Sequence, residues 1–547
     1  MLASFRQARG GNVAMTFSLM LAPLMLLGGA TIDLGLVFSE RSRAQNALDR
    51  ATLAAGADLG LVPNEQVIAK LKAIYDETFV APPSSTTTIK SVSINSEKGE
   101  ITAVAEVKTR TTFLRFASID EMTSQFSATV ALGINDFDVV MVLDNSGSMA
   151  GSKIASLKTA AKDLVSTLLS INTVGSRTDR VQIGVVPFAA SVNVGASFGP
   201  TYSGTTRTGN GTGSAWLDVN GVSSVHQENF NTGLTDNRFD LFARLAAARP
   251  TSAAALSWGG CVEVRPQPYD VTDDAPDASK PDTFYVPMFA PDEPGYKPAT
   301  SSSWTNPSGF SNNYLDDNGG SCTTAASSSS NTALLEAQGR TCKYRAPTSA
   351  NFRNASSLGD AFGPNFSCTT KPVQPMSRTK ATLDTFIDSL AANGNTNIHE
   401  GVMWGWHALS PAAPFTEGRT GTMERPLKKF MIVMTDGENT YGTNTSVNKS
   451  TYAAYGFVSK NRLGTTNTSS VKTKQDERTA LACQNAKNDG GITVYTIAFQ
   501  VSATATQTLL RNCATSPGYY YPAESNSQLI AVFQQIAREI SQLRVAK

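Results

Sequence analysis

The 547-residue sequence predicts an α/β chain in three parts. These are an N-terminal transmembrane helix, a small α+β region, and a doubly wound, mainly parallel sheet with a long cysteine-bearing insertion. Three observations carry this. Residues Val13 to Ile32 form an apolar run without a charge, short Val-rich runs alternate with helical spacing after Phe137, and four of six cysteines fall in one polar stretch.

The apolar run reads VAMTFSLMLAPLMLLGGATI, preceded by Arg6 and Arg9 and followed by Asp33, Glu40, Arg41 and Arg43. About 20 such residues cross a hydrocarbon core at 1.5 Å each. A cleaved signal peptide is the competing reading, but the run exceeds the usual ~7–15-residue apolar region of a signal. Basic residues on the two sides are similar in number, so they do not set the orientation. The cysteines set it instead: six is an even count, none lies in a CxxC pair, and paired disulfides belong in an oxidising compartment. A cytoplasmic N-terminus and a large exported part follow, with the anchor in a bacterial inner membrane. Buried free thiols are the plainer alternative.

Past the span, SERSRAQNALDRATLAAGADL is rich in helix formers, and Asn64 to Phe79 reads as a second helix. TTTIKSVSINSEKGEITAVAEVKTRTTF then alternates apolar and polar residues about a turn at Glu97-Lys98-Gly99, the pattern of an antiparallel hairpin. The expected divisions are 1–60 for anchor and helical extension, 61–135 for the small α+β region, and 136–547 for the sheet domain.

In that last part, Phe137–Leu143, Val181–Phe188, Lys429–Met434, Ile492–Phe499 and Tyr519–Tyr521 read as strands. Ser152–Ser170, Asp384–Leu390, Ile398–Leu409 and Ser527–Leu543 read as helices. Between Phe188 and Thr379 lies an insertion of roughly 190 residues, about 190–378, rich in Ser, Thr, Asn, Gly and Pro. It holds Cys261, Cys322, Cys342 and Cys368, which allow three pairings, while Cys483 and Cys513 flank one strand and are expected to pair. A smaller polar insertion is expected over Asn439 to Lys474, and both should rise near the carboxyl ends of the strands.

Those carboxyl ends are where open α/β sheets bind ligands. The first strand ends in Asp144-Asn145-Ser146-Gly147-Ser148-Met149, so the oxygens of Asp144, Ser146 and Ser148 can converge on one turn. A hard divalent cation takes about six oxygen ligands. Mg2+ is the first choice, with Mn2+ or Ca2+ as alternatives. The plainer reading makes Asp144, Ser146 and Thr396 helix caps and Asp436-Gly437 a turn.

Two resemblances sharpen the picture. RGGNVAMTFSLMLAPLMLLGGATIDLGLVFSERSRAQNALDRATLAAG resembles the N-terminal segment of TadE/TadG-like Flp pilus-assembly proteins at Arg9, Gly10, Asp33, Gln45, Asn46, Ala47, Asp49 and Ala51 to Ala55. It departs after Gly11, where NVAMTF lacks the Glu of a processed pilin-like subunit, leaving processing open. The resemblance covers about the first 60 residues and implies partners among pilus-assembly components; the long helix followed by a small sheet is by itself the outline of a pilin-like module, expected over 61–135. The second constellation resembles the metal-ion-dependent adhesion site of the von Willebrand factor A family: D-x-S-x-S at Asp144, Ser146 and Ser148, then Thr396 in GNTNIHEGV, then Asp436 in MTDGEN. It implies a von Willebrand A-type fold, a bound divalent cation, and capture of an acidic side chain of a protein partner.

Other classes are poorly supported. The net charge of +1 gives no field for nucleic acid, and charged residues at 17% fall below the ~25% of soluble domains. Ser148 lies in no G-x-S-x-G elbow, His399-Glu400 lacks the second His of a zincin, and His407 sits on an apolar helix beside Trp404 and Trp406. The expected function is therefore a non-enzymatic, membrane-anchored interaction module in pilus assembly or adherence. The alternative is an envelope adhesin or scaffold unconnected with pili, and a third reading is a recruiting subunit of a hydrolase or chaperone.

Overall fold

Gly10–Gly56 is one helix, α1, which runs through Pro23 and Gly28-Gly29 and continues into the Ala-, Leu- and Arg-rich stretch after Ser39. The computed structural model describes residues 10–59, 62–95, 99–131, 135–173, 178–231, 236–252, 256–296, 303, 305–325, 330–422 and 425–543, so the expected flanking Arg6 and Arg9 lie outside it. Among the described residues, α1 is the one helix long and apolar enough to cross a membrane. Its first half exposes Met15, Phe17, Leu19, Leu24 and Leu27. Its second half buries Ala44, Ala47, Leu48, Ala51 and Ala55, the one-turn spacing of a packed face.

Against that face lies α2, Asn64–Thr78, through Val67, Leu71 and Tyr75. Three antiparallel strands complete the layer: β1 (Ser85–Asn95), β2 (Glu100–Arg110) and β3 (Glu121–Ala131), in the order β1-β2-β3. β2 turns Ile101, Ala103, Ala105 and Val107 inward, as a half-buried strand should. The expected hairpin is present; Glu97 and Lys98 of its turn lie outside the described residues, and Gly99 has φ +64°. β3 was not expected, because it buries only Phe126 and Ala128 among polar neighbours.

The remaining elements, in chain order, are β4 (Asp136–Asp144), α3 (Ser152–Leu169), β5 (Val181–Phe188), a small hairpin of β6 (Thr201–Ser203) and β7 (Thr206–Gly209), α4 (Arg238–Ala248), α5 (Asn331–Gly339), β8 (Gln374–Ser377) and α6 (Lys380–Asp388). After them come α7 (Ile398–Leu409), β9 (Leu427–Thr435), α8 (Val471–Asn488), β10 (Ile492–Phe499), α9 (Thr504–Cys513), β11 (Tyr520–Ala523) and α10 (Asn526–Gln542). The sheet runs β11-β10-β9-β4-β5-β8, parallel throughout except for the β8 edge. Every residue of the central strand β4 is buried. Val139, Met141 and Leu143 face a core shared with α3 and α10, while Val140 and Val142 face one shared with α7 and α8.

Three expectations are corrected. The helix expected over Asp384–Leu390 starts earlier, at Lys380. The polar stretch expected to run to Lys474 ends where α8 begins at Val471. The insertion donates β8 to the main sheet, and its Trp216, Phe239, Trp258 and Phe289 join the core under α7. Its length therefore adds a cored layer. Three disulfides close the chain: Cys261–Cys368, Cys322–Cys342 and the expected Cys483–Cys513.

Candidate metal centre

A parallel strand buried on both faces must break into a loop at its carboxyl end, and β4 does so at Asp144. The loop that follows is laced to the segment before α7: Gly147 N donates to Gly394 O at 2.9 Å and Asn393 N to Asn145 O at 2.8 Å. Asn145 Nδ2 adds a bond to Ala391 O at 3.1 Å. Gly394 has φ +89°, which favours glycine, and this lets its carbonyl meet the β4 loop.

Four of the five expected residues form one hydrogen-bonded chain. Asp144 Oδ1 accepts from Ser146 N at 2.7 Å, and the Ser146 and Ser148 hydroxyls are 3.0 Å apart. Ser148 Oγ donates to Asp436 Oδ1 at 2.6 Å. Thr396 stands on the adjacent loop, not hydrogen-bonded to the other four. Its backbone is tied to Thr440, N to Oγ1 at 2.8 Å and O from Thr440 N at 2.8 Å, and its hydroxyl makes no hydrogen bond among the described residues. None of these side chains caps a helix: Ser146 stands at the N-cap position of a 3-10 turn, Gly147–Met149, without a side-chain capping bond. α3 begins behind Gly151, and the cap of α7 is Asn397, which accepts from Glu400 N at 3.4 Å.

Two further members escaped the sequence reading. Thr435 Oγ1 donates to Asp144 Oδ2 at 2.6 Å, tying the ends of β9 and β4. Lys153 Nζ lies 2.6 Å from Asp436 Oδ2, whose side chain is fully buried. Lys153 stands in the first turn of α3 with no acid in that turn, so nothing in the local sequence marks its pairing with Asp436.

The set fits a hard divalent cation chemically. All donors are oxygens: two carboxylates and three hydroxyls, with Asp144, Ser146, Thr396 and Asp436 buried and Ser148 open to solvent. Burial, with the neighbouring charge of Asp436, pushes the Asp144 carboxyl up to about 6 against the hydrogen bonds from Ser146 and Thr435. Such a buried carboxylate gains from a cation close by. Among the described residues there is no cluster of three or more His, Cys, Asp or Glu, as a zinc-type site would need.

Both His399 and His407 are buried and hydrogen-bonded. His407 lies between Asp273 (2.8 Å) and the Tyr285 hydroxyl (2.9 Å), and His399 Nδ1 is 2.6 Å from the Tyr455 hydroxyl. Burial pushes His399 down to about 4.

The sheet, parallel except at β8, with a D-x-S-x-S loop at the end of its central strand, is like that of the von Willebrand factor A type. Residues 138–208 match the family model for the von Willebrand factor type A domain; Asp144, Ser146 and Ser148 lie inside that match, and Thr396 and Asp436 beyond it. Residues 11–58 match the Tad model, for Flp pilus-assembly TadE/G-like proteins. No curated protein matches the chain. Among solved structures, the chain is similar to the pilus adhesin SpaC from Lactobacillus rhamnosus GG (12% identity, TM-score 0.29), over 84% of this chain and 35% of that one. It is also similar to the vWF domain of the type V pili tip protein Mfa5 from Porphyromonas gingivalis (11%, TM-score 0.32, 76% and 97%). A third is the pilus adhesin RrgA from Streptococcus pneumoniae (10%, TM-score 0.31, 84% and 49%). The chain thus spans about a third of the length of SpaC.

Proposed function

We propose that this chain is a membrane-anchored, non-enzymatic interaction protein serving a Flp/Tad-type pilus or surface adherence. Its sheet domain grips a protein partner through a divalent cation, Mg2+ before Mn2+ or Ca2+. The observation that carries this is the convergence of Asp144, Ser146, Ser148 and Asp436 at the end of the central strands, with the unengaged Thr396 hydroxyl beside them. Ser146, Ser148 and Thr396 would hold the ion with hydroxyl oxygens, and Asp144 and Asp436 with carboxylates. When bound, the ion supplies a positive centre to which an acidic side chain of a partner can add. The TadE/G-like match supports the pilus assignment, and α1 supports a single-pass anchor. Three disulfides favour an exported sheet domain, in the periplasm or cell envelope, outward of an inner-membrane anchor. Helix α2 and the β1-β2-β3 sheet, packed on α1, then serve as a pilin-like module at 61–135.

Asp144→Ala in the host tests this, scored for piliation and adherence with protein level followed. Loss of both at normal protein level is expected. Loss of adherence with intact pili would favour the alternative envelope adhesin, and wild-type behaviour would remove the cation-dependent mechanism.

A further inference from the structure

The connection between β2 and β3 sits against the apolar half of α1, and it is an unusual loop. Thr112 to Asp120, TFLRFASID, exposes three large apolar side chains: Phe116 at 83%, Ile119 at 44% and Phe113 at 37%. A loop on a water-facing surface would normally carry polar residues there.

Its attachment is specific. Asp33, the one acid near the end of the apolar run, is 2% exposed because its carboxylate faces the loop backbone. It accepts from Thr112 N at 2.9 Å, Phe113 N at 2.8 Å and Leu114 N at 2.7 Å. One turn earlier, Gly29 leaves the helix surface bare: a Cβ there would come within 2.4 Å of Phe113. The loop is thus fastened to α1 at Gly29 and Asp33.

That height on the helix is informative. From Met15 to Asp33 the rise is about 27 Å at 1.5 Å per residue. A hydrocarbon core is about 30 Å thick. The loop therefore meets α1 at the far boundary of the span. Beyond it the helix still exposes Leu36 at 48% and Phe38 at 61%, and the next charges after Asp33 come with the Glu40–Arg43 pair, 3.0 Å apart. The loop has its own charged rim in Arg115 and Asp120, 3.4 Å apart and exposed.

We propose that Phe113, Phe116 and Ile119 insert into the outer boundary of the bilayer, making this loop a second membrane contact beside α1. The occupant is lipid, in continuity with the helix's own lipid-facing surface. Membrane-surface elements bury Phe and other large apolar side chains into the headgroup/acyl boundary in this way. Two contacts, helix and loop, hold the small sheet against the membrane plane, where a lone helix could rotate about its axis. The inference rests on the reading of α1 as membrane-spanning.

The test uses the full chain with single probes at Phe116→Cys, Leu24→Cys and, as a water reference, Thr504→Cys, each carrying an environment-sensitive fluorophore; the native cysteines are paired. Protein is reconstituted in phosphatidylethanolamine/phosphatidylglycerol nanodiscs holding nitroxide lipids at shallow or deep positions. The Phe116 probe is expected to be quenched at least about twofold more than the Thr504 probe, chiefly by the shallow nitroxide, as interfacial placement requires. The Leu24 probe is expected to respond to the deep one. A quenched Leu24 probe with Phe116 no different from Thr504 would overturn the loop contact and leave the anchor standing. A blue-shifted but unquenched Phe116 probe would place protein there and also overturn it. An unquenched Leu24 probe would remove the anchor, and the loop contact with it.

Discussion

Asp436 is asked to serve two cations. Its Oδ2 meets the Lys153 ammonium at 2.6 Å while Oδ1 accepts from Ser148 at 2.6 Å. A divalent ion held by Asp436 has to share it with that ammonium. Lys153→Met is therefore expected to tighten Mg2+ or Mn2+ binding about tenfold, or about 1.4 kcal/mol, in calorimetric titration of the purified chain. Asp144→Ala in the same titration is expected to give no binding heat. Unchanged or weaker binding by the Lys153 variant would mean that the ammonium is no competitor. Asp144, Ser146 and Ser148 were legible because one turn carries all three. Thr396 and Asp436 were legible only through the family pattern, and Thr435 and Lys153, which that pattern lacks, have partners 291 and 283 residues away in the chain.

Helix α8 shows why some elements stay hidden. Its buried positions include Gln475, Thr479, Ala482, Cys483 and Ala486, so the packed face has almost no apolar periodicity. Cys483 on this helix bonds Cys513 at the end of α9, closing a separation of 30 residues. Loop-closure entropy puts that cross-link at about 3.6 kcal/mol. Replacing both cysteines by Ser should lower unfolding stability by about that amount in guanidinium titration. A loss below about 1 kcal/mol would mean that α8 and α9 are held by packing alone. Helix α7 makes a different prediction through Glu400, which accepts from Trp404 Nε1 at 3.1 Å. Burial pushes its carboxyl up to about 8. Against an unfolded value of about 4.3, the folded chain keeps a proton that the unfolded chain has released. Stability from this group therefore falls as pH rises from about 4.3 to about 8, by at most about 1.4 kcal/mol per unit. Glu400→Gln keeps an acceptor for Trp404 and removes the titration. Its stability relative to wild type should rise between pH 5 and pH 8, and a constant difference would refute this.

The apolar cores are segregated along the chain. One is built only from residues between Ala44 and Ala128, and the two flanking the large sheet only from residues between Phe137 and Ile540. A fragment of residues 136–547 is accordingly expected to fold alone, with a cooperative thermal transition and the same cation affinity as the full chain. Failure to fold would show that the small sheet supports the large one. The central strands β4, β5, β9 and β10 were readable from sequence because a strand buried on both faces has to be continuously apolar, a purely local demand. The D-x-S-x-S turn was readable for the same reason. The order β11-β10-β9-β4-β5-β8, the disulfide pairing within the insertion, and the Asp33 clasp on the loop after β2 were decided only in three dimensions. Each joins groups distant in the chain, and nothing in the local pattern of either partner says which surface the other will meet.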